Sequence, residues 1–389
     1  MIPYGKQNIS EEDIQSVVDV MKSDFLTQGP ITPQFEKEIS NYTNADFTVA
    51  VINATAALHV ACLALGVSKG DVVWTSPISF VASANCAKYC GAEVDFVDIN
   101  PLTYNMSIEA LQDKLDIAQK NGSLPKVVIP VHLSGQSCDM KSIYKLSKKY
   151  GFKIIEDASH AVGGAYMTGK IGSCEYSDIC VFSFHPVKII TTCEGGACTT
   201  NDKRLFNKIY NLRSHGIVRN QKDMVNKTHG GWYYEQIDLG FNYRLNDLQS
   251  ALGLNQMKRL DSFVEERHKI ANRYNFLLGD LDYIQLPHQD KNNFSSYHLY
   301  IIRVKSSKHL NRDRIYEKLR NSGVFVNIHY IPIYLQPYYS SSFTKEDFPN
   351  SNTYYSEALS IPIYPGLREE NIQYVVDTIK NPINFQNLF

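Results

Sequence analysis

Three short segments carry residue types that could do chemistry, and each adjoins a run that reads as a strand. The first, Ile154-Ile155-Glu156-Asp157-Ala158-Ser159-His160, sets two carboxylates and a histidine at a strand's carboxyl end. A carboxylate there could hold a cationic ring nitrogen, because a nearby opposite charge favours the protonated form. A solvated strand end with a turn-forming aspartate is the plainer alternative. The second, Phe182-Ser183-Phe184-His185-Pro186-Val187-Lys188, puts a lysine among apolar neighbours. Desolvation makes such an amine nucleophilic towards carbonyls, the requirement for a Schiff base. A lysine that lays its stem on apolar surface and keeps its head in water would look the same. The third, Asn53-Ala54-Thr55-Ala56-Ala57-Leu58, runs from a strand end straight into a helix. The first amides of a helix lack internal partners and suit a phosphate, while Asn53 or Thr55 could equally be a simple N-cap.

The combination says more than its parts. A phosphate cradle, a strand-end aspartate and, about thirty residues later, a desolvated lysine are what a pyridoxal-phosphate enzyme needs. Neither GxGxxG nor GxxxxGK[ST] occurs in the cradle, so dinucleotide and P-loop sites gain no support. Glu194-Gly195-Gly196 leads into a further strand and suggests a tight backbone turn.

The elements that must position these residues alternate from about residue 46 onward. Strands are expected at 48–52, 72–75, 93–97, 126–131, 152–156, 179–184 and 196–200, with helices at 55–65, 80–89, 108–120 and 140–149. That alternation predicts an α/β fold with a parallel sheet covered on both faces, and ligands at the strands' carboxyl ends. Beyond Arg204 the pattern changes. A long helix is expected over 246–278, then a strand at 297–304 and helices at 312–321 and 369–380. The chain therefore divides into a large domain, 1–250, and a smaller C-terminal α+β domain, 251–389.

Composition excludes whole classes. With 39 Lys+Arg against 40 Asp+Glu, nothing favours a nucleic acid or an anionic lipid surface. No run of eighteen apolar residues predicts a membrane span. The start, Met1 to Lys6, lacks the pattern of a signal peptide, so a cytoplasmic location is expected. Eight cysteines lie between Cys62 and Cys198 without a CxxC pair, which reads as buried thiols rather than disulfides or a metal site. Tyr330, Tyr334, Tyr338, Tyr339, Tyr354, Tyr355 and Tyr364 crowd one part of the second domain. They suit a uracil and a sugar face, or an aromatic core.

Several segments together resemble the DegT–DnrJ–StrS family of sugar aminotransferases, and the resemblance runs essentially end to end. They are Leu26-Thr27-Gln28-Gly29, Pro77 to Ala82, Asp157 to His160, Phe182 to Lys188 with Glu194-Gly195-Gly196, Arg213 to Gly216, Phe241 to Asn246 and His329 to Tyr334. The resemblance implies pyridoxal 5'-phosphate as cofactor and the fold-type I architecture of such transferases. It implies that Lys188 is the Schiff-base lysine and proton shuttle. Asp157 would face the pyridine nitrogen, His160 the phenolic oxygen and Phe80 the ring. Thr55 and Ala56 amides with Ser183 would hold the phosphate. Asn242 would reach it from a neighbouring subunit, giving a homodimer with a shared active site. Thr27, Arg213, Arg244, His329 and Tyr330 would bind substrate. The implied reaction moves the amine of L-glutamate, leaving 2-oxoglutarate, to a UDP-linked 4-keto-6-deoxy amino sugar of pseudaminic acid biosynthesis. Another UDP- or dTDP-4-ketosugar, a sugar dehydratase and a non-catalytic cofactor-binding regulator are the alternatives. Lys188 argues against the dehydratase branch, which has histidine there. Asn53-Ala54-Thr55 departs from the Ser-Gly-Thr of many relatives, which bears on the phosphate turn.

Overall fold

β-Branched runs such as Val72-Val73-Trp74-Thr75 and Ile179-Cys180-Val181-Phe182-Ser183 bury nearly every residue, because helices cover both faces of the sheet they form. The structure, a computed structural model, describes residues 1–226 and 230–381, so the last eight positions of the expected second domain lie outside it. The sheet has seven strands: β1 (Phe47–Val51), β2 (Val72–Thr75), β3 (Glu93–Phe96), β4 (Val127–Ile129), β5 (Lys153–Asp157), β6 (Ile179–Ser183) and β7 (Gly196–Thr200). Their order is β1-β7-β6-β5-β4-β2-β3. The pairings from β6 to β3 are parallel, and β7 alone runs against its neighbours β1 and β6. The architecture is the expected α/β one, mostly parallel.

Two N-terminal helices, α1 (Glu11–Met21) and α2 (Ile31–Thr43), precede the sheet and were not anticipated. A local signal existed. Ser10 and Asp13 form a capping box, Ser10 accepting the Asp13 amide and Asp13 accepting the Ser10 amide. The crossovers that follow are α3 (Ala54–Ala64), α4 (Ala82–Tyr89), α5 (Ile108–Asn121) and α6 (Met140–Tyr150), with α7 (Lys203–Leu212) after β7. α3 is apolar all round and almost wholly buried, as befits a helix wedged inside a core. Each fully buried valine, leucine or isoleucine in that core contributes about 1.5–3 kcal/mol.

The single helix expected over 246–278 is two, α8 (Asp247–Met257) and α9 (Leu260–Leu278). Packing against α1 overrides the continuous periodicity. Asn255, Gln256 and Arg259 all bond to the buried Asp13 carboxylate, and Arg259 leaves helical geometry to do so. Beyond it lie α10 (Arg312–Asn321), α11 (Pro349–Glu357) and α12 (Glu369–Lys380) around a small antiparallel sheet. That sheet is β8 (Ile284–Gln285), β9 (Tyr300–Val304) and β10 (Ala358–Ile361), in that order. Its core draws in Ile2 from the N-terminus, while Ile333, Tyr334, Tyr339 and Phe348 pack into the core beneath α3 and α4.

The tyrosine cluster is mainly core. Tyr334, Tyr339, Tyr354 and Tyr364 are buried, Tyr338 is exposed, and of the seven only Tyr330 reaches the central cavity. Two cysteines depart from the buried expectation, Cys193 being exposed and Cys90 part-buried. No described helix is long and apolar enough to cross a membrane.

Candidate active site

The segments that follow β1, β2, β5 and β6 open into one cavity of about 510 Å³. After β1, Asn53 caps α3, its side-chain oxygen accepting the Ala56 amide at 2.8 Å. That amide is used inside the helix, which removes Ala56 from the expected cradle. The amides of Ala54 and Thr55 have no partner among the described residues, and both residues line the cavity. Two free N–H groups at a helix start favour an anion. Ser183, the last residue of β6, lines the same space. Gly196 serves the cradle by close approach rather than by a turn, since a Cβ there would stand 2.6 Å from the Ala54 nitrogen.

Asp157 ends β5 and is buried. Its Oδ2 accepts the Ser83 hydroxyl at 2.6 Å, and its Oδ1 accepts the Ser159 hydroxyl at 2.6 Å and amide at 3.2 Å. Ser79 pairs in turn with Ser83 at 2.6 Å. Alternation along the strand sends Glu156 the other way, where it meets His132 Nε2 at 2.8 Å and Ser177. Glu156 is a structural residue.

Lys188 lines the cavity, and its Nζ makes no hydrogen bond or ion pair among the described residues. Burial pushes the amine down to about 8, with the Asp157 charge opposing. His160 Nδ1 accepts the Ser134 amide at 3.3 Å, which assigns the ring hydrogen to Nε2 and directs it to the Tyr330 hydroxyl at 2.9 Å. Burial, then the Lys188 and His329 charges, hold His160 well below the ordinary histidine range. His329, whose Nδ1 pairs with Ser360 at 2.8 Å, is pushed down to about 3 by burial and Lys188. Phe80 lines the cavity and is 58% exposed.

Several lining residues carried no mark in the sequence. Tyr4 arrives from the far N-terminus and Asn327 and His298 from the C-terminal part. His298 lies 4.4 Å from His160, ring to ring, and its buried Nδ1 has no partner among the described residues. Ser159 was legible, since an aspartate commonly binds the residue two places on.

Other expected residues lie elsewhere. Thr27 and Asn242 are exposed outside the cavity, and Arg244 lines a separate surface depression with Gln28, Tyr210 and His215. Arg213 has a structural use instead of the expected substrate contact. It is buried, ion-paired with Glu36, bonded to the Ala50 carbonyl at 2.6 Å and stacked on Tyr210. Arg213→Ala strands the part-buried Glu36 charge and is expected to cost up to about 3–5 kcal/mol of stability. Thermal denaturation checks this; a variant of wild-type stability with a raised sugar KM would return Arg213 to the substrate.

Free anion-binding amides, a fixed carboxylate, an aromatic wall and a partnerless amine fit pyridoxal phosphate, one feature for each of its phosphate, ring nitrogen, ring face and aldehyde. Fold and cavity together define a pyridoxal-phosphate-dependent transferase of fold type I. Residues 7–380 match the profile of the DegT/DnrJ/EryC1/StrS aminotransferase family, and the chain belongs to that family. It is 36% identical over 379 residues to the UDP-4-amino-4,6-dideoxy-N-acetyl-β-L-altrosamine transaminase of Campylobacter jejuni, covering 97% of this chain and 96% of the relative. It is 35% identical to a spore coat polysaccharide biosynthesis protein of Bacillus subtilis, covering 98% and 96%. Among solved structures it resembles a Helicobacter pylori aminotransferase involved in the biosynthesis of pseudoaminic acid, with TM-score 0.89, 30% identity and 98% of each chain covered.

Proposed function

We propose that the protein transfers the amino group of L-glutamate to C4 of UDP-2-acetamido-2,6-dideoxy-β-L-arabino-hex-4-ulose. The product is UDP-4-amino-4,6-dideoxy-N-acetyl-β-L-altrosamine, of pseudaminic acid biosynthesis. The partnerless, desolvated amine of Lys188 in one cavity with Asp157 carries the chemistry. The Campylobacter and Helicobacter relatives support the sugar.

Pyridoxal phosphate, when bound, supplies the carbonyl that takes up the amine and the electron sink for the breaking C–H bond. Lys188 is its attachment point and, when free, moves a proton at sugar C4. An amine with a pKa of about 8 has a neutral fraction ready for this near neutral pH. Asp157 holds the pyridine nitrogen's proton by charge, and two serines keep that carboxylate aimed. The Ala54 and Thr55 amides with Ser183 would hold the phosphate, Phe80 would cover the ring, and His160, fixed by Ser134 and Tyr330, would serve the phenolic oxygen. His329 and Tyr330 bind the sugar.

The working form is a homodimer in which Asn242, with Arg244 and Thr27, serves the partner's cavity. The exposure of Asn242 and Thr27 and the place of the half-buried Arg244, all outside their own cavity, support this, as does a lining without arginine among the described residues, although both substrates are anionic. Lys188→Ala and Asn242→Asp, each deficient alone, are expected to recover roughly a quarter of wild-type activity when unfolded and refolded together. Half the dimers are then mixed, each with one intact site. No recovery would rule out the shared site. We place the protein in the cytoplasm, where free thiols persist. We also propose 1–250 and 251–389 as its large and small domains, supported by the core around the small antiparallel sheet, whose buried residues all lie beyond 250 except Ile2.

Product analysis with glutamate and a panel of UDP- and dTDP-4-ketosugars tests the reaction. The altrosamine product with stoichiometric 2-oxoglutarate is expected; turnover of only another sugar would replace the substrate. Sugar conversion without 2-oxoglutarate would replace the reaction.

A further inference from the structure

Tyr330 is half-buried at the cavity wall, its ring edge-on to His329 at 5.0 Å and tilted against Phe80 at 6.3 Å. Its hydroxyl meets one side chain among the described residues, His160, whose Nε2 lies at 2.9 Å. The far side of the imidazole sets the direction of that bond. The Ser134 amide can only donate, so His160 Nδ1 offers a lone pair and Nε2 carries the ring hydrogen. Burial holds the ring neutral, so this is its single N–H. The Tyr330 oxygen therefore accepts from His160, and its own proton has no acceptor among the described residues.

The proposed reaction has to expel the C4 oxygen of the ketosugar as water. Lys188 is occupied with the proton on carbon and Asp157 with the ring nitrogen. His160, His298 and His329 are held neutral by burial. Tyr4 also lines the cavity, but among the described residues no N–H backs its hydroxyl. Tyr330 alone joins an uncommitted proton to a donor that steadies the oxygen left behind. Burial, with Asp157 and Tyr4 nearby, raises the phenol, so the proton stays until a stronger base, the departing hydroxide, takes it.

We propose, resting on the transamination proposed above, that Tyr330 is a catalytic acid whose hydroxyl protonates the C4 oxygen as it leaves, while the His160 N–H stabilises the phenolate. The C4 carbon first takes up the incoming amine's lone pair, and its oxygen takes a proton that the nitrogen sheds, which leaves a hydroxyl at C4. The C4–O bond then breaks with its electron pair on oxygen, and the Tyr330 proton completes a water. The nitrogen's lone pair closes the C=N bond, and its second proton returns to the Tyr330 oxygen. One carbonyl oxygen leaves as one water, and nothing is oxidised or reduced.

Tyr330→Phe in the holoenzyme tests this, since it keeps the ring and removes only the hydroxyl. Its kcat is expected to fall about 10²-fold with KM changed less than about threefold. Release of 2-oxoglutarate in a single turnover with glutamate and no sugar is expected to slow by a similar factor, because that ketone's oxygen enters by the reverse of the same step. This arm involves no sugar, so it reads Tyr330 even where the sugar assignment fails. Nitrogen NMR of the full chain labelled at histidine, without the Tyr330 substitution, is expected to show His160 as the Nε2–H tautomer, its signal identified by loss in His160→Gln. A raised KM at wild-type kcat, a loss confined to the sugar half-reaction, or an Nδ1–H tautomer at His160 would overturn the proposal.

Discussion

Lys188→Ala is expected to lower turnover by at least about 10³-fold while leaving the protein folded. The loss is chemical because the amine is both the attachment point and the proton carrier of the proposed reaction. The fold survives because Nζ has no partner among the described residues, so truncation strands no buried group. The variant is expected to take up cofactor that borohydride no longer fixes to the protein. The wild-type apoprotein adds a second measure. A buried amine at about 8 instead of the usual 10.5 gains its neutral form as pH rises through 8. Acylation of Lys188 should therefore reach half its limiting rate near pH 8. Wild-type turnover in Lys188→Ala would end the mechanism.

Asp157→Asn is expected to reduce turnover by about 10²–10³-fold, the scale of removing one preset electrostatic group from an active site. The amide keeps the volume and an oxygen for one serine, but removes the charge that would hold a proton on the ring nitrogen. Ser83→Ala provides the control. It keeps the charge and removes one of the groups that aim it, so its loss should be clearly smaller. Steady-state kinetics with saturating cofactor separate the two. Equal losses would mean that Asp157 matters as the centre of a hydrogen-bond cluster and not as a charge.

Much of the large domain was legible because its elements announce themselves locally. β-Branched runs gave the seven strands nearly to the residue, and the helices 312–321 and 369–380 coincide with α10 and α12. The failures share a cause. The continuous apolar spacing of 246–278 could not reveal that Arg259 leaves the helix for Asp13, more than two hundred residues earlier. The tyrosines of the C-terminal part look alike in sequence, yet Tyr334 and Tyr354 fill cores while Tyr330 meets His160. Arg213 sits in a family motif, but Glu36 decides what it does.

By itself the sequence determined the mostly parallel sheet, the helix that opens at Asn53, the carboxylate that ends β5 and the lysine that follows β6. Each rests on side-chain alternation, capping or apolar neighbours within a few residues, which are local properties of the chain. Only the tertiary structure decided which amides stay free at the cradle, which serines aim Asp157 and which arginine is spent inside the core. It alone brought Tyr4 and His298 to the cavity. Those outcomes depend on contacts between residues tens to hundreds of positions apart, and such contacts leave no period or spacing in the chain.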